Sequence, residues 1–435
     1  MGVLWRLAAV AVAGAALYFA GLLNGIVIEH PDRPGAAAVV IAVGAAILVL
    51  AIAVSGSVGE PTTARHVWIF RATWGFVCLM ALVGLSWLVG MPRQHSYDWT
   101  PYHNDAIALN ECAARLVLQG RNPYTDLDLF SCYGRLAIGA DRTTPLRRGL
   151  FANEAIYPSD SELDRAWDLR SRGDGANEEF VWRPSYPALA FVPLVPFVAA
   201  GLDTNYVYVA CLPFFLTGLL GSASLAAFTV GGSSDLLYAL PLVAAWLWRD
   251  HKWAAVLLGL AIATKQIAWF FVPYYVIALA TSHGWRRAAR EGATAAGVFA
   301  IANTPFIAWN AQAWLAGILT PLAETMFPRG AGLVFLSTNA GLPLAPALFY
   351  TVLEVAVGLA CLILAWRCRR SSPELGAVLA VAPLFFGWRS LFSYFFLLPL
   401  FAYAALARMP LGDLAGERAR RLGALTIFAA PSRTA

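Results

Sequence analysis

Charge is the scarcest resource in this sequence. Only 13% of its 435 residues are Asp, Glu, Lys or Arg, against 59% hydrophobic, and a soluble domain of that length cannot cover its surface with so few polar groups. The six cysteines form no CxxC pair, so no zinc or redox motif is indicated. Histidines His30, His95 and His103 lack ligand spacing and no DxD-like pair accompanies them, so no metal and no cofactor is expected. There is no phosphate-cradling glycine loop, no nucleophile elbow and no visible internal repeat, so nucleotide binding and serine hydrolysis have no sequence handle. A net charge of +5 is too small to point to nucleic acid.

What is present is a succession of apolar runs, with aromatics at 13% suited to interfacial belts. About 20 apolar residues cross a bilayer, and shorter runs do so inside a bundle. Candidate spans are 4–28, 35–54, 67–90, 186–202, 206–230, 235–248, 253–264, 266–281, 291–308, 343–366, 375–388 and 391–407. The run at 4–28 lacks a convincing cleavage site and reads as a retained helix. With a cytoplasmic N-terminus, the inner loops receive Arg65, then Arg249 and Lys252, then Arg286, Arg287 and Arg290, then Arg367, Arg369 and Arg370, and finally the Arg408–Arg421 tail. That asymmetry makes 91–185 extracytoplasmic. The expected fold is all-α, a multi-pass helical bundle in the cell membrane. Its parts are N-terminal spans at 1–90, an outer loop at 91–185, a transmembrane core at 186–407 and a cytoplasmic tail at 408–435.

Within the outer loop, Ile107, Leu109, Ala113, Leu116 and Val117 recur at helical spacing between an Asn104/Asp105 start and a Gly120 stop, predicting an amphipathic helix lying in the interface. SELDRAWDLRSRG predicts another surface helix, in a polar insertion at 125–179 with no fold signature. Cys112 and Cys132 form a disulfide if the loop is extracytoplasmic, or remain two thiols. Residues 309–341 are interrupted by Pro and Gly and read as outer-face or re-entrant structure lining a cavity.

Asp105 is the leading candidate for chemistry: a carboxylate at the aqueous end of a membrane cavity can take a proton from a hydroxyl, although capping its own helix accounts for it equally well. Asp98 is a reserve. Tyr97, Trp99, Tyr102, His103 and Asn104 crowd the same place, as surfaces for sugar rings or as interfacial anchors. Lys265 lies between two apolar runs, where an unpartnered ammonium costs ~3 kcal/mol at a span centre. It holds a phosphate, snorkels to water or pairs with a carboxylate. Arg183, Arg329 and Arg389 end spans on the Asp105 side, as interfacial residues or as a cationic site for phosphate. Tyr186, Gln266 and Tyr394, with Asn303, Glu324 and Asn339, are polar residues in similar positions.

Taken together, the first-loop Asp with its helix and GRNPY, the RPSYP helix start, GLAIATKQ, NTPF and RSLFSYF resemble glycosyltransferase family 87, membrane mannosyltransferases of the GT-C superfamily. The resemblance implies a GT-C bundle and a metal-independent, inverting transfer on the extracytoplasmic side. The donor would be a polyprenyl-phosphate sugar, usually mannose, and the acceptor a lipid or glycan hydroxyl. It maps the family's first-loop aspartate to Asp105 and its lysine to Lys265. In the family the first loop commonly follows the first span, whereas here two additional apolar runs, 4–28 and 35–54, precede it, and SYP at 185–187 replaces an expected YPP. The alternatives are a transporter or flippase of a lipid-linked sugar, or another GT-C or ligase activity on a different acceptor.

Overall fold

The computed structural model describes residues 2–29, 35–55, 105–136, 138–173, 179–211 and 234–409. The run at 67–90, the residues Asp98, Tyr102, His103 and Asn104, and the tail beyond 409 lie outside them. The described chain is almost entirely helical.

Among the described residues, helices long and apolar enough to cross a membrane lie within α1 (Gly2–Glu29), α2 (Ala36–Ser55) and a third at Ala347–Cys368. Candidate span 206–230 lies mostly outside the described residues, and among the rest 186–202 and 375–388 come out broken, with proline the main reason. Pro187, Pro193 and Pro196 divide 186–202 into 3₁₀ turns and a short helix, because each removes a backbone donor and restricts the residue before it. The run at 375–388 likewise becomes turns around Pro383.

Downstream of α1 and α2 come α3 (Asp105–Leu118), α4 (Asp160–Ser171), α5 (Leu236–Leu247), α6 (Ala254–Ile262), α7 (Val272–His283), α8 (Trp285–Ile318), α9 (Ala347–Cys368) and α10 (Leu398–Ala407). The expected end of the span at 308 is not observed. α8 continues to Ile318 through a kink at Asn310, whose φ of −161° and ψ of 96° interrupt the helix. Beyond it the chain turns through short helices and a strand, β1 (Arg329–Gly330), before α9.

α5, α7, α9 and α10 share one large apolar core with α1 and α2. The ends of these helices are marked by opposite clusters. Arg249, just past α5, forms a buried 2.5 Å ion pair with Glu374, which also accepts from Trp246 Nε1 at 2.7 Å. Arg408 reaches Asp250 at 2.7 Å, and Arg287 donates to the Asp250 carbonyl at 2.6 Å. Segments that the charge pattern assigned to one side therefore meet at one face. Asp235, immediately before α5, marks the other face, about 18 Å away along a helix of this length.

The polar insertion is a folded unit. Leu127, Leu129, Tyr133, Phe151, Leu163, Ala166 and Phe180 pack together with Phe327 from the far chain. Cys112 and Cys132 are disulfide-bonded within it. α4 starts with a capping box, Ser159 with Glu162, as the S-x-x-E spacing dictates. Glu179 is enclosed by Arg170 at 2.5 Å, and a Cβ at Gly149, whose φ is +51°, would strike its carboxylate. α3 differs from the expected interfacial helix. Residues 107–114 are all buried, because the polar side has its own partners: Glu111 accepts from Arg115 at 2.8 Å and from Thr204 at 2.9 Å.

Candidate active site

Three chain segments deliver the charged side chains. The first is the start of α3, where Asp105 Oδ1 accepts from the Ala106 N–H at 2.8 Å and Oδ2 accepts from the Thr144 hydroxyl. One carboxylate thus bonds both its own helix and the polar unit.

The second is a two-stranded parallel ladder between β1 and β2 (Arg389–Ser390), in which Arg329 and Arg389 are direct partners. The strands approach closely only because residue 330 is glycine. Its φ is +142°, and a Cβ there would collide with the Ser390 carbonyl. Arg147 N–H donates to the Thr325 carbonyl at 2.7 Å, tying the polar unit to the ladder. Tyr157 of that unit consequently lies under Arg329, with the guanidinium carbon 4.0 Å from the ring centroid. Burial pushes the Tyr157 hydroxyl above its ordinary pKa; Arg329 and Arg389 pull it down, and Asp105 adds to the rise. The same phenol therefore feels the aspartate and both arginines. Arg389 Nη1 is buried and has no hydrogen-bond partner among the described residues. A buried guanidinium nitrogen in that state favours an anion.

The third segment is the break between α6 and α7. Lys265 adopts extended backbone there, and its side chain is buried against Asp235 in an ion pair, with Nζ 4.9 Å from the Tyr186 ring centroid. Of the readings the sequence left open, the structure displays the carboxylate pair. Asp105, Lys265, Asp235 and Tyr394 all lie within electrostatic reach of Tyr186, and Arg389, Lys265 and Asp235 within reach of Tyr394. Tyr157 and Tyr186 thus link the aspartate to the cations.

Two predicted residues lie differently. Gln266 uses its amide to bridge the Ser185 carbonyl at 2.5 Å and the Ile318 carbonyl at 3.1 Å, a tie between segments. Arg183 stacks on Trp182 at 4.3 Å and makes no hydrogen bond or ion pair with another described residue. Asn303 accepts from the Ala188 N–H and Trp314 Nε1, and Glu324 pairs with Arg148 at 2.6 Å, so both have structural partners. Sequence reasoning missed Asp235, Thr144 and Tyr157. Asp235 was findable: a lysine at membrane depth demands a carboxylate, and this one opens a neighbouring apolar run. Thr144 and Tyr157 lie in the insertion, whose pattern carries no such signal.

Residues 186–393 match glycosyltransferase family 87. This stretch belongs to that family, and the match supports a glycosyltransferase. The family 87 segment contains Tyr186, Lys265, Gln266, Arg329 and Arg389, while Asp105, Arg183 and Tyr394 fall outside it. No curated protein and no solved structure matches the chain. Together with the three long apolar helices, the family 87 match suggests a membrane protein acting on a sugar donor and an acceptor there.

Proposed function

We propose that this glycosyltransferase moves a sugar, mannose by family resemblance, from a polyprenyl-phosphate donor to a lipid or glycan hydroxyl on the extracytoplasmic face. Asp105 takes the proton of the incoming hydroxyl as its oxygen attacks the anomeric carbon, the bond to phosphate breaks, and the configuration inverts. The leaving polyprenyl phosphate carries away the electron pair. Arg329 and Arg389, with Lys265 nearby, offset its negative charge.

The observation that carries this reading is the meeting of one carboxylate and two arginines around Tyr157, with a guanidinium nitrogen of Arg389 buried and unpartnered. The Cys112–Cys132 disulfide supports the extracytoplasmic side, since such bonds persist in oxidising compartments. A lipid donor also keeps its prenyl chain in the bilayer, which suits a site at the junction of apolar helices and a folded polar unit.

Asp105→Asn tests it. With labelled polyprenyl-phosphate mannose and a membrane lipid extract, label transfer drops by about 10²–10⁴-fold while donor binding persists. Turnover near wild type would reduce Asp105 to a cap. A transporter reading draws on the buried Lys265–Asp235 pair. It predicts donor movement across vesicles without label reaching any acceptor.

A further inference from the structure

At the face opposite the candidate site, α7 and α9 enclose a groove of about 450 Å³. Pro273, Val276 and Ile277 line one wall and Leu362, Ile363, Trp366 and Arg367 the other. The lining covers residues 273–277 on α7 and 362–367 on α9, about 6–8 Å along each helix axis.

The mouth has a different chemistry. Trp285 and Trp366 sit with ring centroids 5.9 Å apart, the kind of aromatic pair that marks a membrane–water boundary. Arg369 stacks on Trp366 at 3.9 Å and donates to its carbonyl at 2.7 Å. Arg367 and Arg370 are exposed and make no hydrogen bond or ion pair with another described residue, unlike Arg249, Arg287 and Arg408 of the same face, which all have carboxylate partners. An apolar slot beside two exposed guanidinium groups that have no carboxylate partner among the described residues is complementary to the upper part of an acyl chain below a phosphate.

We infer that this groove binds an anionic phospholipid, its acyl chain lying between α7 and α9 and its headgroup on Arg367 and Arg370. Guanidinium groups grip a phosphodiester through paired N–H donors, and a second negative or hydroxylated headgroup in place of choline removes the competing positive charge. The site lies on the side away from Asp105, so it is separate from donor and acceptor binding and does not rest on the transfer mechanism.

The test is native mass spectrometry of the full-length protein from detergent, titrated with dioleoyl phosphatidylglycerol or dioleoyl phosphatidylcholine. Phosphatidylglycerol adducts are expected at concentrations about 10-fold lower than phosphatidylcholine adducts, the factor that about 1.4 kcal/mol of headgroup recognition gives. Arg367→Gln with Arg370→Gln, both exposed and free to change without disturbing the core, abolishes that preference. Ile363→Trp fills the slot and removes adducts of both lipids, whereas Leu348→Trp, at the other end of α9, leaves them. Equal retention of the two lipids by the unaltered protein, or full retention by Ile363→Trp, overturns the proposal, as does displacement of the adduct by a polyprenyl phosphate donor.

Discussion

The Lys265–Asp235 pair offers the sharpest test, because pairing with a carboxylate and holding a phosphate are separable. The two side chains are 11% and 4% exposed, so each charge depends on the other. Asp235→Asn leaves a buried ammonium without its counter-charge and costs about 3–5 kcal/mol; Lys265→Met strands the carboxylate at similar cost. The double variant carries no charge there and regains most of that loss. Donor binding separates the roles. If Lys265 also contacts the donor phosphate, the double variant forgoes a charge-assisted hydrogen bond of about 1.5–3 kcal/mol and binds donor about 10–100-fold more weakly. Stability is read from tryptophan fluorescence during heating in detergent, and affinity from titration with polyprenyl-phosphate mannose. Wild-type donor affinity in the double variant refutes the phosphate role. Single variants as stable as wild type refute the buried pair.

Gly330→Ala forces a side chain into the Ser390 carbonyl at a positive φ, so the ladder separates Arg329 from Arg389. A loss of about 1–3 kcal/mol in stability with a larger fall in donor affinity is expected from the same two assays. The pH response of the polar unit follows from Glu179. Burial pushes its pKa up, but the Arg170 guanidinium and the Leu150 N–H outweigh that and hold it below the ordinary value. A lowered carboxyl stabilises the fold above its unfolded pKa of about 4.3, and that contribution disappears as pH falls through the folded value. Amide exchange at Leu146 and Val181, both bonded across this unit, accelerates below about pH 4, and Arg170→Met removes the dependence. Glu354 lies against Gly387 on α9 and has no hydrogen-bond or ion-pair partner among the described residues. Glu354→Gln removes an uncompensated charge and leaves the melting temperature unchanged or higher; a drop would reveal a partner.

The pattern of hydrophobic runs and basic loops fixed a helical membrane class, the existence of α1, α2, α5, α6, α7 and α9, and which arginines share a face. These are properties of short windows, since twenty apolar residues in a row or an arginine at a span end need no distant partner to be read. The S-x-x-E start of α4 was legible for the same reason. Where prolines stand inside an apolar run, length alone misled, as at 186–202 and 375–388.

Only the tertiary structure decided which polar residues meet. Arg329 and Arg389 are sixty residues apart and become neighbours through a ladder of two residues per strand that no periodicity announces. Asp235 reaches Lys265 because α5 and α6 return the chain to the same end, and Tyr157 reaches Arg329 because the insertion folds around its own core and bonds to the segment after α8. The burial of a residue is written in its local sequence; its electrostatic partner is chosen by packing, which sums contacts from everywhere along the chain.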